Sequence, residues 1–207
     1  MNEPRLRDVM WEPIFDRNPI TLLMLGICSA LAVTTKLETA VAMSLAVLGV
    51  LVGSSLILSA VRRHVPDTIR IFAQISIIAT LVIVVDQLLQ AFFWDLSKQL
   101  SIFVGLIVTN CIVMGRTEGF ALKHGPLLSI GDAIGHALGY GAVLLALGFV
   151  RELLGAGRVF GHVVLRLQSD GGWYVPMGLM GRAPVAFILI AMLIWALKTW
   201  KSEPAEA

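Results

Sequence analysis

Charged residues are scarce in this 207-residue chain. Aspartate, glutamate, lysine and arginine together make up 14% of it, whereas hydrophobic residues make up 57%. Because a soluble domain usually carries about 25% charged residues, the scarcity excludes an ordinary soluble protein and predicts an integral membrane protein. Lipid offers no partner to an unpaired backbone group, so we expect the fold to be all-α.

The motifs of nucleotide and nucleic-acid chemistry are also missing. The sequence has no Walker motif or dinucleotide fingerprint, and no long basic run or zinc-finger spacing points to nucleic acid. The four histidines are scattered at segment edges and in loops, and no Ser/His/Asp or paired-carboxylate arrangement is recognisable. The chain alone therefore has no substrate-transforming site, and in a catalytic complex it would carry electrons or ions.

Six apolar segments predict a single membrane domain over residues 1–207. They cover approximately residues 20–34, 39–61, 69–93, 100–114, 133–150 and 183–197. The second and third are long enough to span a bilayer core, which takes about 20 residues. The fifth is marginal, and the first, fourth and sixth are short.

The distribution of basic residues predicts the orientation. Six crossings place both termini on one side, where ten of the 16 basic residues lie. Basic residues are enriched in cytoplasmic loops, so we expect both termini in the cytoplasm. The long Gly-rich loop predicted over residues 151–182 argues against this orientation, since it holds four of the six basic residues on the opposite side.

Cysteine is nearly absent, and its two occurrences, Cys28 and Cys111, lie inside short apolar segments. They could form one disulfide at most, and their positions argue against a secreted scaffold. At 1.5 Å per residue, Cys28 lies roughly 15 Å from the cytoplasmic side and Cys111 roughly 18 Å from the opposite side, so both reach the midplane. The spacing predicts two inverted three-helix repeats, approximately residues 18–95 and 97–200, with the first and fourth helices short or broken.

The ligand chemistry of two thiols leaves two interpretations open. A thiolate is a soft ligand for iron–sulfur clusters, zinc or Cu(I). Two thiolates are half of what a [2Fe–2S] cluster needs, and half of a tetrahedral zinc site. No histidine adjoins either cysteine. Either another chain completes the site, or the thiols are buried small hydrophobic groups.

Three other polar residues lie near the same depth: Ser29, Thr109 and Asn110. We interpret them as helix caps or interhelical hydrogen-bonding groups, with Na+ ligation or a cofactor pocket as the alternative.

The charged residues of the apolar segments are interpreted as interfacial. Asp86 is the only acid within a long predicted span and falls near its outer end, where we expect it to be solvated or paired with Lys98. Arg116 and Glu118 are interpreted as charges of the loop that follows the Cys111 segment, with Arg116 at the headgroups.

Five sequence segments carry a family resemblance. They are LGICSALAVTTKLETA (25–40), VPDTIRIFAQISIIATLVIVVDQLLQAF (65–92), SKQLSIFVGLIVTNCIVMGRTEGFA (97–121), GYGAVLLALGFVRELLGAGRVFG (139–161) and GGWYVPMGLM (171–180). Together they resemble the D-subunit family of the Na+-translocating NADH:quinone reductases. TNCIVMGR is also shared with the homologous E subunits of Rnf complexes.

The resemblance implies a six-helix subunit of the bacterial inner membrane, paired with a homologous, oppositely oriented NqrE-like subunit. The pair would hold a mid-membrane [2Fe–2S] cluster with two cysteines from each chain. Cys28 and Cys111 match the family's ligand positions, so they are the candidate iron ligands here.

The implied complex also contains subunits A, B, C and F, which carry FAD, FMN and riboflavin. It passes electrons from NADH to ubiquinone and exports Na+. Two alternatives stay open: an Rnf-type subunit fed by ferredoxin, and a secondary ion transporter or channel subunit with inert thiols.

Overall fold

A computed structural model describes residues 9–10, 19–20, 23–62, 65–66, 69–92, 105–159, 162–163 and 181–201. Its helices are α1 (Ile27–Val33), α2 (Leu37–Val61), α3 (Arg70–Phe92), α4 (Cys111–Arg116), α5 (Pro126–Ala156) and α6 (Ala183–Lys201). A π-helical turn, Thr117–Ala121, follows α4, and an antiparallel pair of short strands, β1 (Arg158–Val159) and β2 (His162–Val163), follows α5. The regular secondary structure of the described residues is therefore helical, as predicted, apart from these two strands of two residues each.

Helices α2 and α5 pack against each other and form the centre of the core. Met43 and Val47 of α2 and Leu144 of α5 are fully buried there. The two helices approach closely at Gly141, where a Cβ atom would lie only 3.2 Å from the Ser44 Cβ. This close approach makes α2 and α5 the scaffold on which the shorter helices lie.

Three of the described helices are long and apolar enough to cross a membrane: α2, α3 and α5. Within α6, the apolar part Pro184–Thr199 is shorter than these three helices. Helix α3 lies at the edge of the fold, since only Gln74, Ile78 and Val82 are buried on it. Its exposed apolar side chains face lipid or other chains.

The prediction of short first and fourth helices is confirmed. Helix α1 has seven residues and α4 has six. A separate helical turn at residues 105–108 precedes α4, and the chain leaves the helical path at 109–110. The remainder of the fourth segment, residues 100–104, lies outside the described residues, as do Lys98 and most of the loop predicted at 151–182.

The prediction for the fifth segment is wrong in length. It gave a marginal helix over residues 133–150, whereas α5 has 31 residues. Pro126 starts the helix at its first position, and Gly157, with φ 65°, ends it, as each residue type commonly does. Asp132, Arg151 and Glu152 lower the hydropathy of the two ends, yet all three are buried and bonded to other elements.

Candidate cofactor site at the ends of two short helices

The two cysteines occupy the first turns of the two short helices. Cys28 is the second residue of α1, and Cys111 is the first residue of α4. Both thiols are exposed on the surface of this chain. Free cysteine is among the most buried residue types, so the interpretation as buried hydrophobic groups is wrong for the isolated chain.

A buried hydrogen-bond network joins the starts of α1 and α4. The Ser29 Oγ lies 2.6 Å from the Tyr140 hydroxyl of α5 and accepts a hydrogen bond from the Asn110 Nδ2 at 3.2 Å. Ser29, Asn110 and Tyr140 are each 3% exposed or less. Because Ser29 follows one cysteine and Asn110 precedes the other, the network brings the two thiol-bearing turns together.

The predicted roles of Ser29 and Asn110 are confirmed. Asn110 is the N-cap of α4, since its Oδ1 accepts a hydrogen bond from the Ile112 backbone N–H at 3.2 Å. Its amide nitrogen makes the interhelical bond to Ser29. Thr109 is exposed, and its hydroxyl donates to the Gly105 carbonyl at 3.3 Å. Two of the three residues thus build the junction.

Helix α5 holds the far ends of both short helices as well. At the end of α1, the Arg151 guanidinium donates to the Leu31 carbonyl at 3.1 Å and to the Thr34 hydroxyl at 2.6 Å. At the end of α4, the Arg116 Nε donates to the Asp132 carboxylate at 3.0 Å.

Asp132 and Arg151 lie on opposite sides of Tyr140, about 12 Å and about 16 Å along α5 at 1.5 Å per residue. Helix α4 therefore runs from the junction toward Asp132, and α1 runs from it toward Arg151. The two cysteine-bearing helices leave the junction in opposite directions.

The interpretation of Arg116 as a headgroup anchor is wrong. Arg116 is the last residue of α4 and forms a bidentate ion pair with Asp132, and its guanidinium lies over the Phe120 ring. His136 Nδ1 lies 3.0 Å from the Asp132 carbonyl oxygen and 3.3 Å from its carboxylate. The sequence interpretation failed because this carboxylate comes from a helix end that was predicted to be loop.

Glu118 belongs to the π-helical turn and not to a free loop. Its carboxylate pairs with Arg70 and accepts a hydrogen bond from the buried Gln74 amide. Together with Cys111, Gln74 and Glu118 line an open cavity of about 310 Å³. π-Helical turns often occur at functional sites, and this one borders the exposed thiol of α4.

Asp86 lies on α3, away from these contacts, and its carboxylate accepts a hydrogen bond from the Gln90 amide at 2.8 Å. Pairing with Lys98 falls outside the described residues. The sequence had indicated that Asp86 is the only acid within a long span. This is wrong, because the long helix α5 also contains Asp132 and Glu152.

Three residues of the site escaped the sequence analysis: Tyr140, Asp132 and Arg151. A tyrosine in the middle of an apolar run was a usable signal, because tyrosine in membrane helices is enriched at the interfaces and not at the centre. The Asp132–His136 spacing of four residues, which places both on one helix face, was a second.

Gly26 sets the geometry of the first short helix. Its φ of 84° lies in the left-handed region, and a Cβ atom there would lie 2.9 Å from the Tyr140 ring.

Because a non-glycine residue in this region costs about 1–2 kcal/mol before any overlap, Gly26→Ala should destabilise the protein by about 2 kcal/mol. The thermal unfolding midpoint of the purified protein measures this. Gly49→Ala, at a helical position with open space, is the control, and an equal effect of both changes would contradict the prediction.

The donor set of this chain is incomplete for a metal. Among the described residues, no group of three or more histidine, cysteine or acidic side chains could hold a metal ion. The remaining candidate ligands are two exposed thiols, and a hydrogen bond joins the starts of the helices that carry them. Such a pair can supply half of a four-thiolate site.

Comparisons with known proteins agree with the membrane fold. The sequence matches the family described as "Rnf-Nqr subunit, membrane protein" over residues 6–194. It is 58% identical to the D subunit of the Na(+)-translocating NADH-quinone reductase of Shewanella oneidensis over 202 residues, which cover 98% of this chain and 96% of the relative. The corresponding D subunit from Shewanella baltica strain OS155 is 57% identical with the same coverage. The chain therefore belongs to the Rnf-Nqr family of membrane protein subunits, within the group of D subunits of Na(+)-translocating NADH-quinone reductases.

Proposed function

We propose that this chain is a membrane subunit of a Na+-translocating NADH:ubiquinone reductase and holds half of an intramembrane [2Fe–2S] cluster. The relatives named above are D subunits of such an enzyme and match nearly the whole chain. Cys28 and Cys111 are the proposed iron ligands from this side. A homologous NqrE-like subunit supplies the other two thiolates.

One observation carries the cluster assignment: both thiols are exposed on the surface of the chain. The sequence predicts that they lie near the middle of the membrane. The helix starts that carry them are joined by the hydrogen bond between Ser29 and Asn110. Thiols that only fill space would be buried within the chain. Two thiolates suit iron–sulfur chemistry and leave two ligand positions for a second chain. The donor set therefore fits a cluster shared across an interface.

The residues of this chain have separable tasks at the site. Cys28 and Cys111 would hold iron, and the bound cluster would supply one-electron transfer between the flavin-containing subunits. Buried apolar side chains of the first and fourth helices, among them Ile112 and Val113, exclude water from this side. Reduction potentials of such clusters depend on exposure and hydrogen bonding, so this wall helps set the potential.

The proposed topology is six crossings built as two inverted repeats, residues 18–95 and 97–200, with both termini in the cytoplasm. The opposite directions of α1 and α4 along α5 support it, because an inverted repeat turns equivalent helices around. The excess of basic residues on the side of the termini supports the orientation.

The partners and cofactors of the proposed complex are those that the family resemblance implies. Subunits A, B, C and F would carry FAD, FMN and riboflavin, and electron flow through them would drive Na+ out of the cell across the inner membrane. The identity to D subunits favours NADH as the electron source. Ferredoxin as the electron source would mark an Rnf-type complex. Rapid reduction of the purified complex by NADH, and not by reduced ferredoxin, is the expected result.

Thiol labelling of the whole complex tests the ligand assignment. A thiolate bound to iron is not free to be alkylated. Peptide mapping of this chain should show both cysteines unlabelled while iron is bound and labelled after a chelator has removed it. Labelling of either cysteine without loss of iron would contradict the assignment. Labelling that does not respond to iron is the result expected of an ion-transport subunit with inert thiols.

A further inference from the structure

Tyr140 projects from the middle of α5 into the junction between the two cysteine-bearing helices. We propose that Tyr140 is a positioning residue that fixes the spacing of Cys28 and Cys111. It acts through their sequence neighbours, Ser29 and Asn110, and so controls the electronic properties of whatever the two thiols hold. This inference rests on the proposed function, since it concerns the cluster assigned to those thiols.

The hydrogen-bond inventory of Ser29 makes Tyr140 a donor. A serine hydroxyl has one proton and two acceptor lone pairs. The Ser29 proton points to the Gly26 carbonyl, 2.9 Å away. Tyr140 must therefore donate to the Ser29 Oγ across 2.6 Å, while the Asn110 amide donates to the same oxygen across 3.2 Å. Every hydrogen-bonding position of Ser29 is used.

The Asn110 side chain ties the two short helices to one another. Its amide nitrogen holds Ser29 of α1, and its oxygen caps α4 through the Ile112 N–H at 3.2 Å. A shift of one helix start against the other must break one of these bonds. Because the cysteines are the residues next to Ser29 and Asn110, such a shift also changes the distance between the thiols.

Tyr140 is suited to hold this junction still. Its side chain is fully buried in the core and belongs to the longest helix of the fold. Its ring fills the space beside Gly26, where even a methyl group would overlap it at 2.9 Å. A side chain locked by packing on a rigid element positions a site more accurately than one on a loop.

The consequence for a cluster is a change of its properties and not only of its occupancy. Hydrogen bonding and solvent exposure set the reduction potential of an iron–sulfur cluster. Outer-shell groups that orient metal ligands are typically worth about 10–100-fold in metal affinity. A loosened junction should therefore shift the potential and speed the loss of iron.

The experiment compares Tyr140→Phe with wild type in the purified whole complex. Phenylalanine keeps the ring and removes the donor. We expect the remaining clusters to show broadened or shifted EPR lines and an altered midpoint potential. A chelator should remove this iron about tenfold faster, the lower end of the outer-shell range. Ser54→Ala is the control, because Ser54 is also buried but donates to Leu51 within its own helix, at 3.2 Å.

Ser29→Ala is the second variant and decides the outcome if Tyr140→Phe does not assemble. It removes the acceptor shared by Tyr140 and Asn110 and should change the spectrum and the potential in the same way. If the clusters in the assembled variants keep the EPR lines and midpoint potential of wild type, the inference is overturned, whatever fraction of the complexes holds a cluster. A purely structural role would change only that fraction. Persistence of the cluster signal in Cys28→Ser would instead overturn the proposed function.

Discussion

Complexes that carry Cys28→Ser or Cys111→Ser are expected to lose the EPR signal of the proposed shared cluster. NADH:quinone electron flow should fall by at least about 100-fold, since outer-shell changes alone already cost up to about 100-fold in metal affinity or activity. Serine is nearly isosteric with cysteine, but its hydroxyl is a hard oxygen donor, whereas the site needs a soft thiolate. Both thiols are exposed in this chain, so the fold should tolerate the change.

Two controls isolate the ligand effect. Met114→Leu changes a neighbour of Cys111 in the same 310 Å³ cavity without touching a ligand, and it should keep the signal and the electron flow. NADH oxidation with an artificial acceptor that takes electrons from the NADH-binding subunit should be normal in all variants, because in the proposed electron path that reaction does not pass through this site. Unchanged iron and quinone reduction in both serine variants would refute the cluster and favour an ion-transport subunit.

Local features of the sequence predicted the apolar segments and the two short helices. Segment length and hydropathy are properties of consecutive residues, and the six-residue α4 and seven-residue α1 fall where the short segments were expected. The placement of both cysteines in matching short helices followed from the same evidence.

Contacts between distant segments could not be predicted this way. Arg151 was interpreted as a loop residue because it carries charge, but its guanidinium is satisfied by Leu31 and Thr34, more than 100 positions away in the chain. The position of Tyr140 in an apolar run was a signal, but its partner Ser29, 2.6 Å away, lies 111 positions earlier in the chain and could not be identified from local sequence. The exposure of the thiols likewise depends on which faces of α1 and α4 the core covers.

Among the polar contacts of the described residues, the ion pair between Arg116 and Asp132 should be the most costly to break by a single substitution. The carboxylate is nearly buried, with its side chain 5% exposed, and the arginine side chain is 19% exposed. Removing one partner of a buried pair typically costs about 3–5 kcal/mol, because the other charge is left without compensation. We expect this loss for Asp132→Leu. The double variant Arg116→Met, Asp132→Leu should lose little, because it removes both charges of the pair together.

A double-mutant cycle on the stability of the purified protein measures the coupling of this pair. The matched cycle uses Arg70→Met and Glu118→Leu, whose side chains pair but are 34% and 37% exposed, so its coupling should be smaller than that of the buried pair. Because Arg116 ends the helix that Cys111 begins, iron release should accelerate in Asp132→Leu and recover in part in the double variant. Additive losses in the first cycle would contradict this prediction, because they would mean that the pair of Arg116 and Asp132 does not hold the far end of α4.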